Sequence, residues 1–458
     1  GDGETGDGKT GEQTCGDRKS VSVTWYVAPT GAAGTDCDGQ SPETPLVDVE
    51  TAVERALPGD SILLLPGTYK NENYLDGDYW KRGFTLLIKN LHGEPDKPII
   101  VKALHPGTAI IKSDAEMAVH VIDCEHVRIE GLVIYGEVEQ IPLELARQYM
   151  FQYKDEDGII QHRTDGTKLQ GLPAPINSFR PSYFNTKGLT LKRGKHVKLI
   201  NNTVKFMPAV GLSIWGGDYI TAEGNTVHDN SRRSAVGTHG LQIHSIENLD
   251  GTGGIHFLIA KNVVYNNYNE LYSWSEQKTF INPHIDEGKG ISFQKSTRSW
   301  NKAPGRMLIA NNLCYGNGFS GIHVNLGANI DVVHNTLFGN FASGSGKNIG
   351  ISFSPCNDCT ASNNLVDAKV SWKGLALHST KDAATFSHNL VRGTLDDLST
   401  AQGNNLVVED LGLTDAINGD FHLLPTSPAI NAGITSSVTT DFDGKTRDAE
   451  PDIGAFEF

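Results

Sequence analysis

The sequence predicts an all-β chain wound into a single-stranded right-handed parallel β-helix, and two recurring phrases carry that prediction. The first phrase reads glycine, apolar, polar, apolar, polar. Its copies start at Gly188, Gly211, Gly240, Gly290, Gly321, Gly350 and Gly374. Alternation of this kind is typical of a half-buried strand, and the glycine before each strand indicates a turn. Regular recurrence with scattered insertions is typical of a solenoid, in which successive coils stack on one another.

The second phrase is centred on asparagine and follows most copies of the first by about fourteen residues. Its asparagines are Asn202, Asn225, Asn262, Asn312, Asn335, Asn364 and Asn389. Asparagine tolerates left-handed backbone and hydrogen-bonds to neighbouring backbone groups, so it suits a tight turn between strands. On successive coils these amides are also expected to pair as a ladder. Each coil is therefore predicted to hold at least two strands and a turn.

Composition agrees with a single solenoid. The 458 residues include 50 glycines and 4 methionines, and 20% of them are charged, which favours a turn-rich β protein with few long helices. One β-helix over residues 21–458 explains the repeats better than several domains do, because each coil buries its side chains only against its neighbours. The sequence contains no apolar run long enough to span a membrane.

The two ends of the solenoid are expected to be capped. Residues 1–20 lack apolar side chains for a core and are expected to form a disordered tether. Within an N-terminal cap at about 24–70, residues 48–57 show helical spacing of Val49, Val53 and Leu57, and Pro58 ends the pattern. This helix is predicted to cover the first coil. The C-terminal segment, about 420–458, is expected to fold back over or beyond the last coil.

The six cysteines give information on the cellular location of the protein. Cys15 with Cys37, and Cys356 with Cys359, are the candidate disulfides, which an exported protein permits. A zinc site is not expected, because Cys356 and Cys359 have no second Cys or His pair at ligand spacing. Together with the tether, these features predict a secreted, periplasmic or surface protein, with a lipid anchor as one form of the attachment.

Both ends of the chain resemble a known family. The motifs are Trp25-Tyr-Val-Ala-Pro, Pro58-Gly-Asp, Leu65-Pro-Gly-Thr-Tyr, Ser427-Pro-Ala-Ile-Asn-Ala-Gly and Asp452-Ile-Gly-Ala-Phe-Glu. They are similar to segments of bacterial right-handed β-helix proteins of the pectate-lyase superfamily, over roughly residues 24–458. The resemblance implies the fold but not the reaction, because that superfamily holds lyases, hydrolases, epimerases and non-catalytic proteins. Some of these lyases bind calcium on an aspartate-rich coil. No such cluster occurs in this sequence, so no cofactor is assigned. Calcium is kept as an alternative.

The outward positions of the repeated strands form the predicted site. The third and fifth residues of each phrase point away from the core, and neighbouring coils lie about 4.8 Å apart. The central positions are Trp215, Gln242, His244, Gln294, His323 and Asn325. An indole, two imidazoles and three amides on a flat sheet suit an extended sugar chain, since indole stacks on a pyranose and amides bind hydroxyls. An ordinary solvated sheet would carry more Thr, Ser, Lys and Glu.

Three long insertions, at 136–187, 228–239 and 265–289, interrupt the repeat before these strands. Insertions in repeat proteins collect on the binding face, so they are expected to wall the site. The net charge of −15 argues against nucleic acid. The basic residues near the insertions favour an acidic polysaccharide as partner of a monomeric enzyme.

Two reactions and one binding role fit this face. β-Elimination needs a base and a cation for the uronate carboxylate, so His244, His239, Lys289 and Lys295 are candidate bases and Arg232 and Arg233 the candidate clamp. His244 is the best-placed base, because it is central and outward and is expected to be flanked by His239 and by Arg232 and Arg233. These cations are expected to lower its pKa. Hydrolysis needs two carboxylates, which Asp286 or Glu287 with Asp218 or Asp229 would supply. The third interpretation is a non-catalytic glycan-binding surface protein.

Overall fold

The computed structural model is a right-handed parallel β-helix, as the sequence predicts. It describes residues 22–30, 38–148, 152–154, 160–162, 182–272, 284–343, 349–368, 373–377, 383–395 and 403–458. The predicted tether and the candidate disulfide between Cys15 and Cys37 lie outside these residues. Each complete coil contributes one strand to each of three parallel β-sheets. They are called the first, second and third sheets below.

The first sheet carries the repeated phrase. Its strands are Phe84–Lys89, Met117–Ile122, Lys187–Lys192, Leu212–Trp215, Leu241–His244, Ile291–Gln294, the first halves of Ser320–Val333 and Ile349–Ser362, Lys373–Leu377 and Thr394–Leu395. The seven predicted strands stack in parallel, and the residue after each glycine is in register: Leu189, Leu212, Leu241, Ile291, Ile322, Ile351 and Leu375. These inward side chains are fully buried and form the core. The predicted stacking is confirmed.

The second and third sheets complete the coil. The second sheet comprises Thr24–Val27, Ser61–Leu64, Ile99–Ala103, Glu125–Glu130, Lys195–Ile200, Ile220–Glu223, Gly254–Ala260, Gly305–Ala310, the second halves of Ser320–Val333 and Ile349–Ser362, and Ala383–Ser387. The third comprises Gly67–Lys70, Ala109–Lys112, Val133–Tyr135, Thr203–Lys205, Thr226–His228, Val263–Tyr265, Leu313–Tyr315, Thr336–Phe338, Leu365–Asp367, Leu390–Arg392 and Leu406–Val407.

Short elements lie outside the coils. The helices are α1 (Val49–Arg55), α2 (Leu143–Gln148) and α3 (Arg298–Lys302), with single 3₁₀ turns at Val138–Gln140, Ser182–Asn185 and Ala416–Asn418. Two antiparallel pairs join Gln152–Lys154 to Ile160–His162 and Leu413–Asp415 to Asp420–Leu423. Among the described residues, no helix is both long and apolar enough to cross a membrane.

The predicted asparagine ladder lies inside the turn between the second and third sheets. It runs Asn202, Asn225, Asn262, Asn312, Asn335, Asn364, Asn389 and Asn405. At each step the backbone N–H and the side-chain amide of one asparagine donate to the Oδ1 of the next, as from Asn225 to Asn262 at 3.0 and 2.9 Å. Each rung thereby satisfies backbone groups that the turn would otherwise bury without partners.

A second ladder, which the sequence analysis missed, follows the third sheet. Asn230, Asn267, Asn317 and Asn340 pair in the same way, with amide-to-Oδ1 distances of 2.8–2.9 Å. This ladder helps to explain the repeated glycine: a Cβ at Gly240 would lie 2.6 Å from Asn267 Nδ2, and one at Gly350 or Gly374 would lie 2.2 Å from a valine of the third sheet. Gly240 has no left-handed backbone. The glycine is therefore required by close packing of neighbouring coils rather than by the turn that the sequence suggested.

The N-terminal cap matches its prediction. Helix α1 begins after Asp48, whose carboxylate accepts from the Thr51 N–H at 2.6 Å, and it ends at Arg55 rather than at residue 57. Val49 and Val53 are buried in the core of the first coil. The helix therefore covers apolar side chains that the end of a solenoid would otherwise expose.

The C-terminal segment folds back along the outer face of the third sheet. Leu411, Leu423 and Ile453 pack on the outward Leu365 and Leu390. Farther along the same sheet, Arg447 Nη2 donates to Asn311 Oδ1 at 3.0 Å. Cys356 and Cys359 form the expected disulfide.

Ending the chain at residue 415 should abolish soluble, cooperative folding. The truncation exposes Leu313, Leu365 and Leu390 to solvent. Burial of each leucine side chain stabilises the folded state by about 1.5–3 kcal/mol. Soluble expression and circular dichroism during heating would measure the effect. A truncated chain that stays soluble and melts cooperatively would mean that the segment is only decoration.

Replacing Asn262 with Ala should lower the free energy of unfolding by about 3 kcal/mol or more. Each buried polar group left without a partner costs ~1–3 kcal/mol. The change removes its bonds to Asn225, Asn312 and the Ala222 carbonyl. Asn418→Ala, at an exposed position, is the control and should change the stability little. Urea unfolding would compare the two variants, and equal midpoints would contradict a structural role for the ladder.

Candidate functional site

The outward side chains of the first sheet form two straight columns. One runs Thr190, Ser213, Gln242, Ser292, His323, Ser352 and Ala376, and the other runs Lys192, Trp215, His244, Gln294, Asn325 and Ser354. Parallel pairing without a register shift holds each column in line, so the six predicted face residues lie on four consecutive coils. We call the columns from Lys192 to Asn325 the first-sheet face.

Trp215 and His244 stack on this face. Their ring centroids are 4.1 Å apart and their planes differ by 5°. The imidazole therefore covers one face of the indole, and the other face is directed toward the coil of Lys192. Trp215 is still 41% exposed, so its edge and its second face are available to a sugar ring.

His244 has the properties of a neutral base. Its Nδ1 hydrogen-bonds to the Ser245 hydroxyl. When Nδ1 carries the proton and donates to that oxygen, Nε2 keeps a free lone pair. Burial lowers the pKa of His244 below its usual 6.5, and the nearby charge of Lys295 lowers the pKa further. The direction agrees with the prediction, but burial and Lys295 cause the shift rather than the predicted Arg232 and Arg233.

Two exposed lysines flank the Trp215–His244 pair. Lys192 lies one coil before Trp215, and Lys295 follows Gln294 on the coil after His244. Neither lysine forms an ion pair within the described part of the chain. The sequence analysis included Lys295 as a rival base but did not assign Lys192 to the site. The structure adds Lys192 because the register aligns it with the indole.

Beyond His244 the face is lined by amides and hydroxyls. Asn325 Nδ2 donates to Gln294 Oε1 at 3.1 Å, and Gln294 Nε2 donates to Ser292 Oγ at 2.7 Å. On the same side, His323 Nδ1 lies 2.6 Å from Ser352 Oγ. These bonds fix the orientation of the polar groups before any ligand binds, which lowers the entropic cost of binding.

Two of the other predicted bases, His239 and Lys289, lie at the opposite end of the strands. His239 precedes the strand Leu241–His244, so it is roughly 16 Å from His244 at about 3.3 Å per residue. His239 is buried, and its Nε2 is 3.5 Å from Glu287 Oε2. Lys289 is buried too, and its ammonium ion-pairs with the same carboxylate at 2.8 Å. The expectation that His239 flanks His244 is therefore wrong, because the strand separates them.

Arg232 and Arg233 are occupied by another carboxylate. Arg232 Nη2 is 3.3 Å from Glu270 Oε1, and Arg233 pairs with Glu270 Oε2. Arg233 also donates to the Ile141 carbonyl at 2.8 Å, which ties it to the preceding insertion. Both guanidinium groups hold the loops together, so the arrangement contradicts the predicted role of a carboxylate clamp.

The carboxylates proposed for hydrolysis do not meet. Asp218 is fully buried beside the second sheet, where its Oδ1 is 2.7 Å from His256 Nδ1. Asp229 pairs with His228 on the outside of the third sheet at 2.7 Å. Asp286 and Glu287 remain at the start of the first-sheet strands. The predicted pairs thus lie on different faces, and the first-sheet face itself carries no carboxylate among the described residues.

One group within the described residues has the composition of a cation site: Asp218, Asp250 and His256. Asp218 Oδ1 accepts from the Tyr219 N–H and Oδ2 from the Leu249 N–H, at 2.9 and 2.7 Å. Calcium prefers six to eight open oxygen ligands. These oxygens are engaged in protein hydrogen bonds, so the group fits a structural network better than a calcium site.

Comparisons with known proteins support the fold. No protein-family profile matches the chain, and no curated protein matches it. The crystal structure of the pectate lyase Pel9A is similar, with a TM-score of 0.52 and 17% identity over 96% of this chain and 97% of that chain. An alginate lyase from Paenibacillus sp. str. FPU-7 gives 0.43 and 13%, over 78% and 94%. The resemblance to β-helix proteins of the pectate-lyase type is thereby confirmed for the fold.

Replacing Lys295 with Met should raise the pKa of His244, because it removes the positive charge that disfavours imidazolium. The value should stay below 6.5, since burial is the larger cause. Lys192→Met is the matched control and should leave this pKa unchanged. Histidine titration by NMR, assigned with His244→Gln, measures the shift. A wild-type pKa above 6.5 would contradict the described environment.

Proposed function

We propose that this chain is a carbohydrate-active enzyme, and specifically a lyase that cleaves an acidic polysaccharide by β-elimination. The observation that carries the proposal is the His244 imidazole, whose pKa is lowered by burial and by Lys295, on a face with two exposed cations nearby and no carboxylate among the described residues. Such a face attracts a uronate chain through Lys192 and Lys295. It also offers an imidazole whose lowered pKa favours the form that can accept a proton.

The reaction follows from these groups. A uronate carboxylate beside Lys295 would be neutralised by its ammonium, which acidifies the neighbouring C5–H bond. His244 Nε2 would take the C5 proton, and the released electron pair would form the C4–C5 double bond while the C4–O bond breaks. The departing oxygen would take a proton from water or from the newly formed imidazolium. Ser245, by accepting from Nδ1, favours the tautomer with a basic Nε2.

Trp215 and the amides would bind the chain rather than react with it. The free face of the indole is available to one sugar ring beside Lys192. Gln294 and Asn325 offer donors and acceptors to hydroxyls two and three coils away. Coils about 4.8 Å apart would present these groups to successive positions along an extended polymer. Binding energy along the track would then orient the reacting sugar over His244.

Hydrolysis is the poorer alternative. It requires two carboxylates about 5–9.5 Å apart around one bond. The predicted partners Asp218 and Asp229 instead lie beside the second and third sheets. Non-catalytic glycan binding would use the same indole and amides without needing a neutral imidazole. The assay below separates these two interpretations from the lyase.

We also propose that the protein works outside the cytoplasm. The disulfide between Cys356 and Cys359 supports an oxidising compartment. A large polysaccharide substrate would agree with that location.

His244→Ala should lower turnover by about 10²-fold or more, because general-base catalysis contributes roughly that factor. Its melting temperature should stay close to that of the wild type. The assay incubates the enzyme with pectic, alginate, ulvan and glycosaminoglycan polymers and follows the ultraviolet absorbance of the unsaturated product. His105→Ala, at an exposed position away from the face, is the matched control.

The outcomes separate the interpretations. Full activity of His244→Ala would transfer the role of base to Lys295, which Lys295→Met then tests. Reducing ends without unsaturated product would indicate hydrolysis. Binding without any product would indicate a glycan-binding protein. A large loss of melting temperature in His244→Ala would identify a structural imidazole instead.

A further inference from the structure

A second groove runs along the outside of the second sheet, away from the first-sheet face. Its volume is about 530 Å³. Its floor is one outward column in register: Ile100, Arg128, Lys198, Thr221 and Leu258. Pro95, Pro98 and Ile255 also line the groove. The floor crosses five consecutive coils, so the groove is elongated along the axis of the β-helix.

A ladder of stacked rings lines the groove at the turn between the first and second sheets. His126, His196, Tyr219 and His256 stack in succession, with centroids 4.4, 4.5 and 4.1 Å apart. Because each inner ring is covered on both faces by its neighbours, the ladder presents ring edges rather than ring faces to the groove. The wall is rigid before a ligand arrives, which reduces the ordering cost of binding.

Hydrogen bonds anchor the ladder at one end. His256 Nδ1 is held at 2.7 Å by Asp218, and the Tyr219 hydroxyl donates to Asp250 at 2.7 Å. His126, His196 and Tyr219 also adopt left-handed backbone, with φ of 49°, 52° and 54°. That conformation is uncommon for bulky residues and is disfavoured by roughly 1–2 kcal/mol per residue. The ring stacking and the close packing of the coils hold the three residues there.

The ionisable side chains that line the groove are basic rather than acidic. The lining holds the cations Arg128 and Lys198 and three imidazoles, and none of its residues is an aspartate or glutamate, although the net charge of the chain is −15. Arg128 pairs with Glu130 at 2.9 Å beyond the lining. Lys198 is exposed and forms no ion pair with the residues that the structure describes. An elongated groove with an exposed lysine that has no carboxylate partner among the described residues favours a linear anionic ligand.

We infer that this groove is a second, non-catalytic binding site for an acidic polysaccharide chain. Carboxylates would lie beside Lys198 and Arg128, and the apolar C–H faces of the sugars would pack on Ile100, Leu258 and the prolines. The inference rests on the proposed function for the identity of the polymer. Binding here would hold a long chain on the enzyme while another segment occupies the first-sheet face, as in two linked sites.

The test compares Lys198→Glu with Lys302→Glu, which makes the same charge change at an exposed position on α3 outside the lining. Both changes are made in the His244→Ala background so that the polymer stays intact. Retardation in gels that contain alginate, polygalacturonate or neutral dextran measures affinity. Lys198→Glu should weaken binding to an acidic polymer roughly threefold to tenfold relative to Lys302→Glu, the scale of a surface charge contact. Ile255→Asp, at an exposed position on the groove wall, should act in the same direction.

Activity distinguishes the groove from the reaction. With His244 restored, Lys198→Glu should slow the cleavage of long polymer but leave turnover of a short oligosaccharide unchanged. Equal retardation of the Lys198 and Lys302 variants would overturn the groove site even if the enzyme is a lyase. If the Lys198 variant binds more weakly but no polymer gives unsaturated product, the binding site in the groove is supported and the proposed lyase activity is contradicted. Equal retardation of the protein in gels with neutral dextran and with acidic polymers would contradict the inference that the ligand is anionic.

Discussion

The side-chain amide that joins one coil to the next is the interaction on which the rest of the structure depends. Each ladder asparagine both donates to and accepts from a neighbour, and it also satisfies a backbone carbonyl inside the turn. A coil that slipped by one residue would lose these bonds and turn its apolar side chains outward. The ladders therefore set the register that brings Lys192, Trp215 and His244 into one column.

That register also decides what chemistry the surface offers. On a single strand, Trp215 or His244 is an isolated side chain in solvent. Stacked at 4.1 Å, the indole shields the imidazole, and burial then lowers the histidine pKa more than the neighbouring lysine does. The neutral base of the proposed reaction is thus a product of coil stacking. The reactivity that we propose for the first-sheet face would depend on the same contacts that stabilise the fold.

The first-sheet face and the groove on the second sheet differ in how their aromatic rings are exposed. On the first-sheet face one indole keeps a free face and 41% of its surface, which suits stacking against a sugar. On the second sheet, four rings cover one another and leave only their edges to the groove. The third sheet is covered over part of its length by the C-terminal segment, which leaves the other two sheets as the faces with elongated binding surfaces.

The sequence by itself determined the β-helix, its first-sheet strands, the helix over the first coil and one asparagine ladder, because each depends on local periodicity that repeats along the chain. It also indicated the face from Trp215 to Asn325, since alternation fixes which side chains point outward. Only the tertiary structure decided which cations are available. Arg232 and Arg233 share Glu270 from the next coil. Glu287 pairs with Lys289 on its own loop and with His239 from the preceding coil. Pairing across coils depends on the shape of the insertions, which no repeat in the sequence encodes.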